Sequence, residues 1–486
     1  MTCAAPGGWQ SIREDSLREV PIRSDTDCCI LGGGLAGLSA AWALTQAGRR
    51  VQVLEGADAV GGLARTVARD GFRFDLGGHR FFTHDARVGG FVRELLGDEL
   101  VTVPRASRIY LRGKWIEYPL RPLGALAGVG LRTSARILLG YARASLARRM
   151  RPAPLASLED WVVAHFGRPL FELYFRDYSE KVWGIGCRDI SAEWMAQRVQ
   201  GLSLGAAIRH AFLQRGTALP TLVDRFLYPR LGIGSIAERL RAAIERSSPI
   251  ATGTRVVRMR HDGRRIESVS VRRGDQEHEL RGEAILSTIP LTQIIQALSP
   301  HAPVDVRAAA ARLRYRDLVI VAVMLRRERA TDQTWIYFPG KDIPFGRLHE
   351  PTNWSAAMAP PGRTLLATER FCFRGDATWS ASDAELIETT AGYLEKLGFI
   401  HRREVDDGMV VRIPAAYPLF EVGYQERSRI LCDYLARFDN LQLAGRGGLF
   451  RYYNMDQAIA SGLAAAEALL GRDTEMRAAI AAGGVP

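Results

Sequence analysis

Residues 75 to 85 read DLGGHRFFTHD, and two of the chain's nine histidines, His79 and His84, stand in this run among glycines and aromatic residues. An unperturbed imidazole titrates near neutrality, so a histidine in a glycine-rich loop suits proton management beside a bound group. A satisfied loop histidine is the competing reading for both. The residues upstream narrow the choice. Gly32, Gly34 and Gly37 form G-x-G-x-x-G between an apolar run, Cys28 to Leu31, and a stretch of helical period through Ala47. Gly32 permits a tight turn, Gly34 lets a pyrophosphate approach the backbone, and Gly37 lets helix and strand pack closely. The N–H groups of the helix start attract phosphate charge. A second strand, RVQVLE, ends at Glu55, where an acid can accept from a ribose hydroxyl. Strand, turn, helix, strand and acid together predict a dinucleotide site.

Such a site needs a scaffold, and the chain is long enough to build one. Its 486 residues, 47% of them hydrophobic, allow two or three domains at roughly 100–200 residues each. No apolar run reaches the roughly 18 residues of a membrane span. The N-terminus lacks the apolar core of a secretory signal and reads as a loose tail. Six cysteines are scattered without C-x-x-C spacing, which predicts reduced thiols in a cytoplasmic protein and no metal site. The net charge of +12 comes from arginines spread along the chain. A basic chain suits nucleic acid, anionic membranes or anionic small molecules. Without zinc-finger spacing or an RNP pattern, nucleic acid is not expected. In residues 131–152, arginines and apolar residues recur at helical spacing. That segment reads as a solvated helix face, with peripheral contact to an anionic membrane as the alternative.

The segment GADAVGGLARTV carries Gly61, Gly62 and Arg65. It resembles the second glycine pair of glutathione-reductase-like flavoproteins of the amine-oxidase type. The resemblance implies FAD, with Arg65 adding charge-assisted bonds to the pyrophosphate. GGHRFFTHD (77–85) resembles the loop that UDP-galactopyranose mutases, most closely the eukaryotic type, place against the flavin ring. RASRIYLRGKWIEYPL (105–120), YSEKVWGI (178–185), EWMAQRV (193–199), RFLYPRLGIGSI (225–236), WIYFPGKDIPFGRL (335–348), AAYPLFEVGY (415–424) and GRGGLFRYYNMDQAIASGLAAAE (445–467) are similar to further mutase blocks in the same order. The earlier blocks also resemble protoporphyrinogen-oxidase-like proteins. The last block is the most specific to the mutases.

The resemblance implies an α/β fold. A Rossmann-type, glutathione-reductase-like FAD-binding domain is expected over 25–104, 226–290 and 430–470. A helical insert is expected over 121–225, a mostly antiparallel β substrate domain over 105–120 and 291–429, and tails at 1–24 and 471–486. It implies that Gly32, Gly34, Gly37, Glu55, Gly61, Gly62, Arg65, His79, Arg446, Met455 and Gln457 hold the cofactor. Arg198 and Arg347 would grip a sugar-nucleotide diphosphate from opposite walls, since planar guanidinium forks match phosphate oxygens. Tyr337, Tyr417 and Tyr452 would touch diphosphate or sugar. His79, Arg198, Arg347 and Tyr452 are the expected catalytic set, and His84 stands one step behind. Where the mutases carry a substrate-loop tyrosine, this chain has Trp354.

The activity so implied is pyranose–furanose isomerisation of a UDP- or other NDP-sugar. The reduced flavin N5 is the nucleophile, there is no net redox, and a reductant such as NAD(P)H primes the cofactor. An amine-oxidase-type dehydrogenase or desaturase is the alternative, and a flavin-bound, membrane-associated accessory protein is the third reading.

Overall fold

The computed structural model describes residues 20–118, 130–150, 154–193 and 225–471. Strand β1 (Asp25–Leu31) is apolar and buried from Cys28 onward. It turns at Gly32 into helix α1 (Leu35–Gln46), which returns the chain to strand β2 (Val51–Leu54), buried at every position. Continuous apolar strands of this kind form where both faces of a parallel sheet are covered. β1 pairs in parallel with β2 and with the C-terminal part of Gln276–Ser287, whose opposite edge takes Leu441–Leu443, also in parallel. The antiparallel strands Thr254–His261 and Ile266–Arg273 extend this sheet on one side, and Ile250–Ala251 closes the other.

The outermost strand on the antiparallel side is Leu298–Ser299. This short segment finds parallel partners in Met259 and Arg260. The described part of the insert is helical: Leu131–Met150, Leu158–Phe166 and Arg176–Trp183. Ser157 and Asp160 cap the middle helix reciprocally.

The second sheet has seven strands, in the order Val405–Pro418, Tyr315–Leu325, Thr364–Cys372, Arg347–His349, Trp335–Tyr337, Ser107–Leu111, Lys114–Tyr118. All ladders are antiparallel except Trp335–Tyr337 with Ser107–Leu111. That parallel pair brings residues 107–118 to the same face as 315–418. A cleft of about 1190 Å³ is lined by residues of both sheets. Among the described residues no helix is long and apolar enough to cross a membrane. Cys28, Cys29, Cys187, Cys372 and Cys432 are free thiols.

Candidate cofactor and active site

One end of the cleft is built by the glycine turn. Gly32 has φ +108°, and a Cβ there would meet Thr288 Oγ1 at 2.3 Å. A Cβ on Gly37 would meet the Gly32 carbonyl oxygen at 2.0 Å. These two glycines are required by the protein's own packing. Gly34 is different: a Cβ there meets nothing within 4 Å, and its backbone is extended, as any residue allows. It faces the open cleft. No side chain caps α1 and no acid stands in its first turn, so its terminal N–H groups remain for an anion.

Glu55, at the end of β2, accepts from Gly33 N–H and Ala57 N–H, both at 2.7 Å, which fixes the carboxylate at the cleft edge. Gly61 donates to Gly33 O and bridges to Gly34, and Gly62 packs on the Gly34 Cα. Arg65 pairs with the exposed Asp58 at 3.1 Å, but its Nε is buried without a partner.

The loop of the opening run crosses the middle of the cleft. Asp75 anchors its base, accepting from Thr66 Oγ1, Tyr228 OH and Ile233 N–H. Gly78 must be glycine because a Cβ would lie 1.2 Å from the Trp335 ring. Its N–H donates to Glu369 Oε1 at 3.1 Å. His79 lines the cleft, and its Nδ1 is buried without a partner. Burial pushes its imidazole down to about 4, and the Arg446 and Arg347 charges act in the same direction. The ring is thus neutral at physiological pH. His84 is exposed, packs edge-on to Phe82, and stands outside the cleft. It is a surface loop histidine, because Asp85 turns the chain there into the helix Ala86–Leu96.

Further along the cleft lies a row across three strands. Tyr337 pairs with Arg347, and Arg347 with Glu369. Arg347 holds Glu369 Oε2 at 3.0 Å, and its Nε donates to Tyr178 OH at 3.0 Å. Burial opposes its charge, and the surrounding Tyr178, Glu369 and Tyr417 oxygens more than offset this. The expected free diphosphate fork is therefore partly committed to a fully buried carboxylate. Arg446 lies over Tyr452 at 4.6 Å and Tyr417 at 5.4 Å, and its Nε is buried without a partner. Tyr337, Tyr417 and Tyr452 all line the cleft, as does Met455 at the start of the helix Met455–Leu469. At the same helix start the Gln457 side chain accepts from Asn454 N–H at 3.0 Å and closes the capping box. Arg198 lies outside the described residues.

Four residues escaped the sequence reading as site residues: Glu369, Trp335, Tyr178 and His349. Glu369 had a signal, since the pair Glu369–Arg370 interrupts a strand buried at every position, and buried charges must be paired. Trp354 is buried, donates to Thr334 O and stacks behind Trp335 and His349. It is a wall of this aromatic stack.

His349 is 1% exposed and neither ring nitrogen has a partner. Burial, then the His79 and Arg347 charges, hold its imidazole down at about 3. The unfolded chain binds this proton near pH 6.5 and the folded one does not, so the contribution is present above that pH and is lost as pH falls. His349→Phe is expected to flatten the acid limb of stability by about 1.4 kcal/mol per pH unit between roughly pH 6.5 and 4. Melting curves of both proteins across that range check this. Parallel curves would show that His349 protonates freely in the fold.

Arg65 Nε, His79 Nδ1 and Arg446 Nε are buried polar atoms that a ligand completes, and Gly34 leaves room for its pyrophosphate. The residues present fit FAD.

The chain is 28% identical over 365 residues to the phytoene dehydrogenase of Streptomyces griseus, covering 70% of this chain and 68% of that protein. It is 26% identical over 439 residues to protoporphyrinogen oxidase 1, chloroplastic, of Arabidopsis thaliana, covering 82% and 79%. Its fold superposes on a reduced UDP-galactopyranose mutase with a TM-score of 0.81, at 22% identity over 94% of this chain and 98% of the other. A putrescine oxidase superposes at 0.63 with 16% identity, covering 92% and 99%. The pattern of the flavin containing amine oxidoreductases matches residues 35–470. The chain therefore belongs to the flavin-containing amine oxidoreductase family and is an FAD-dependent enzyme.

Proposed function

We propose that this enzyme isomerises the sugar ring of a nucleoside-diphosphate sugar. The observation that carries the reading is the polar lining of the cleft: Arg347 and Tyr337 stand side by side on paired strands, and Tyr417 and Tyr452 line the same space beside Arg446. A carotenoid would favour an apolar lining at this position. Phenols and guanidinium groups suit hydroxyls and phosphate oxygens. The likeness of the whole fold to a reduced UDP-galactopyranose mutase supports the same reading.

Reduced FAD supplies a nucleophilic N5 and recovers its electrons, so the reaction has no net redox. The chain's residues do the positioning. The remaining face of Arg347, with Tyr337 and Tyr417 beside it, holds the diphosphate where it departs, which saves the entropy of recapture. Neutral His79 can exchange a proton through Nδ1 without adding a second positive charge beside Arg446. Trp335, packed on Gly78, fixes the height of the flavin loop.

Activity is expected to require reduced flavin and to consume no reductant per turnover. UDP-hexoses incubated with and without dithionite, then separated by chromatography, test this. The family and its curated relatives favour a second reading, an FAD-dependent dehydrogenase or desaturase. Stoichiometric hydrogen peroxide with an amine or polyene, and no furanose product, would establish that reading instead.

A further inference from the structure

The helix Leu131–Met150 turns one side to the fold. Ile137 is buried, and Gly140 lets Pro169 approach so closely that a Cβ would meet its Cδ at 2.5 Å. Among the described residues, nothing covers the other side. At about 3.6 residues per turn, Leu131, Leu138, Leu139, Leu146 and Met150 fall within an arc of roughly 120°. Their exposures are 91%, 43%, 60%, 59% and 72%. Exposed Ala135 and Ala142 fill the gaps between them. Arg132, Arg136 and Arg143 line one border of the arc, and Arg148 and Arg149 close its C-terminal end. The segment LRTSARILLGYARASLARRM has no acidic residue. Neighbouring acids are already engaged: Glu159 with Arg168 and Arg188, and Glu172 with Arg176.

We propose that this face lies in the surface of a membrane containing anionic phospholipid. Contiguous exposed leucines mark an interaction surface. An apolar arc bordered by arginines is the pattern of a helix lying in the membrane interface. The leucines enter the acyl boundary, and the arginines stretch their guanidinium groups to lipid phosphates. A second copy of the chain is the poorer occupant. A two-fold pairing of this face would set its arginines against their own copies, with no carboxylate between them.

Flotation of the flavin-loaded full chain tests the proposal. The probes are vesicles of phosphatidylcholine alone and of equal parts phosphatidylcholine and phosphatidylglycerol. Wild type is expected to float with the mixed vesicles only and to be released by raised salt. Replacing Arg132, Arg136 and Arg143 by Gln should weaken binding by about fivefold per arginine. The triple change Leu138→Asp, Leu139→Asp, Leu146→Asp should abolish it. Both variants should keep their flavin, since every altered side chain faces outward. If the leucine variant loses its flavin, the arginine variant decides alone. The proposal is overturned if wild type ignores mixed vesicles, or if folded variants float as wild type does. It is equally overturned if wild type is a vesicle-indifferent dimer that the leucine changes make monomeric.

Discussion

Gly34→Val is expected to give a folded protein that has lost its flavin. Most glycine substitutions in such a turn confuse folding with binding, but here the two separate. Gly34 has φ −74° and ψ 176°, a backbone that valine adopts readily. A Cβ at this position touches no protein atom within 4 Å. The space is where the pyrophosphate must approach the start of α1, so a side chain fills the cofactor's place. Flavin content should fall by at least about tenfold. The melting curve should match that of wild-type apoprotein, which has already lost the stabilisation that bound ligand confers. Gly37→Ala is the contrasting case, because its Cβ would lie 2.0 Å from the Gly32 carbonyl oxygen. That variant should lose fold and flavin together. Visible absorbance and circular dichroism read both quantities. Full flavin content in Gly34→Val would mean that the pyrophosphate does not cross this turn.

The second large effect concerns Arg347 and its buried partner. Arg347→Ala should destabilise the protein by about 3–5 kcal/mol, because it leaves a charge uncompensated in the interior. Glu369 is 0% exposed and would keep only the Gly78 N–H. Loss of nucleotide binding in this variant alone would therefore be uninformative. The double change Arg347→Met, Glu369→Gln removes both charges, and Gln can still accept from Gly78. It should recover most of the stability. If Arg347 also grips a diphosphate, the double variant should still bind UDP about ten- to a hundredfold more weakly, since hydrogen bonds to charged groups contribute roughly 1.5–3 kcal/mol. Arg347→Lys should not restore binding fully, because an ammonium cannot make two parallel bonds. Calorimetry with UDP, alongside thermal melts, separates the two roles. Wild-type affinity in the double variant would confine Arg347 to the structural ion pair.

The cofactor half of this enzyme was readable because its requirements are local. Gly32, Gly34, Gly37, Glu55, Gly61 and Gly62 act through steric limits and hydrogen bonds within one strand–turn–helix–strand unit, and residue spacing encodes such limits directly. The opening histidines divide on the same ground. The glycines before His79 are forced by φ at Gly77 and by the Trp335 ring at Gly78, whereas nothing near His84 in the chain reveals that Asp85 turns it outward.

The substrate half depends on strand register. Tyr337, Arg347 and Glu369 become neighbours only because three strands align at those residues. A shift of one residue would send each side chain to the opposite face. Spacing along the chain thus carries the presence of a dinucleotide site, and the resemblance of the next segment implies that the dinucleotide is FAD. The charge state of the arginine beside it follows from which distant carboxylate the sheet delivers, since a buried guanidinium is defined electrostatically by the group that neutralises it.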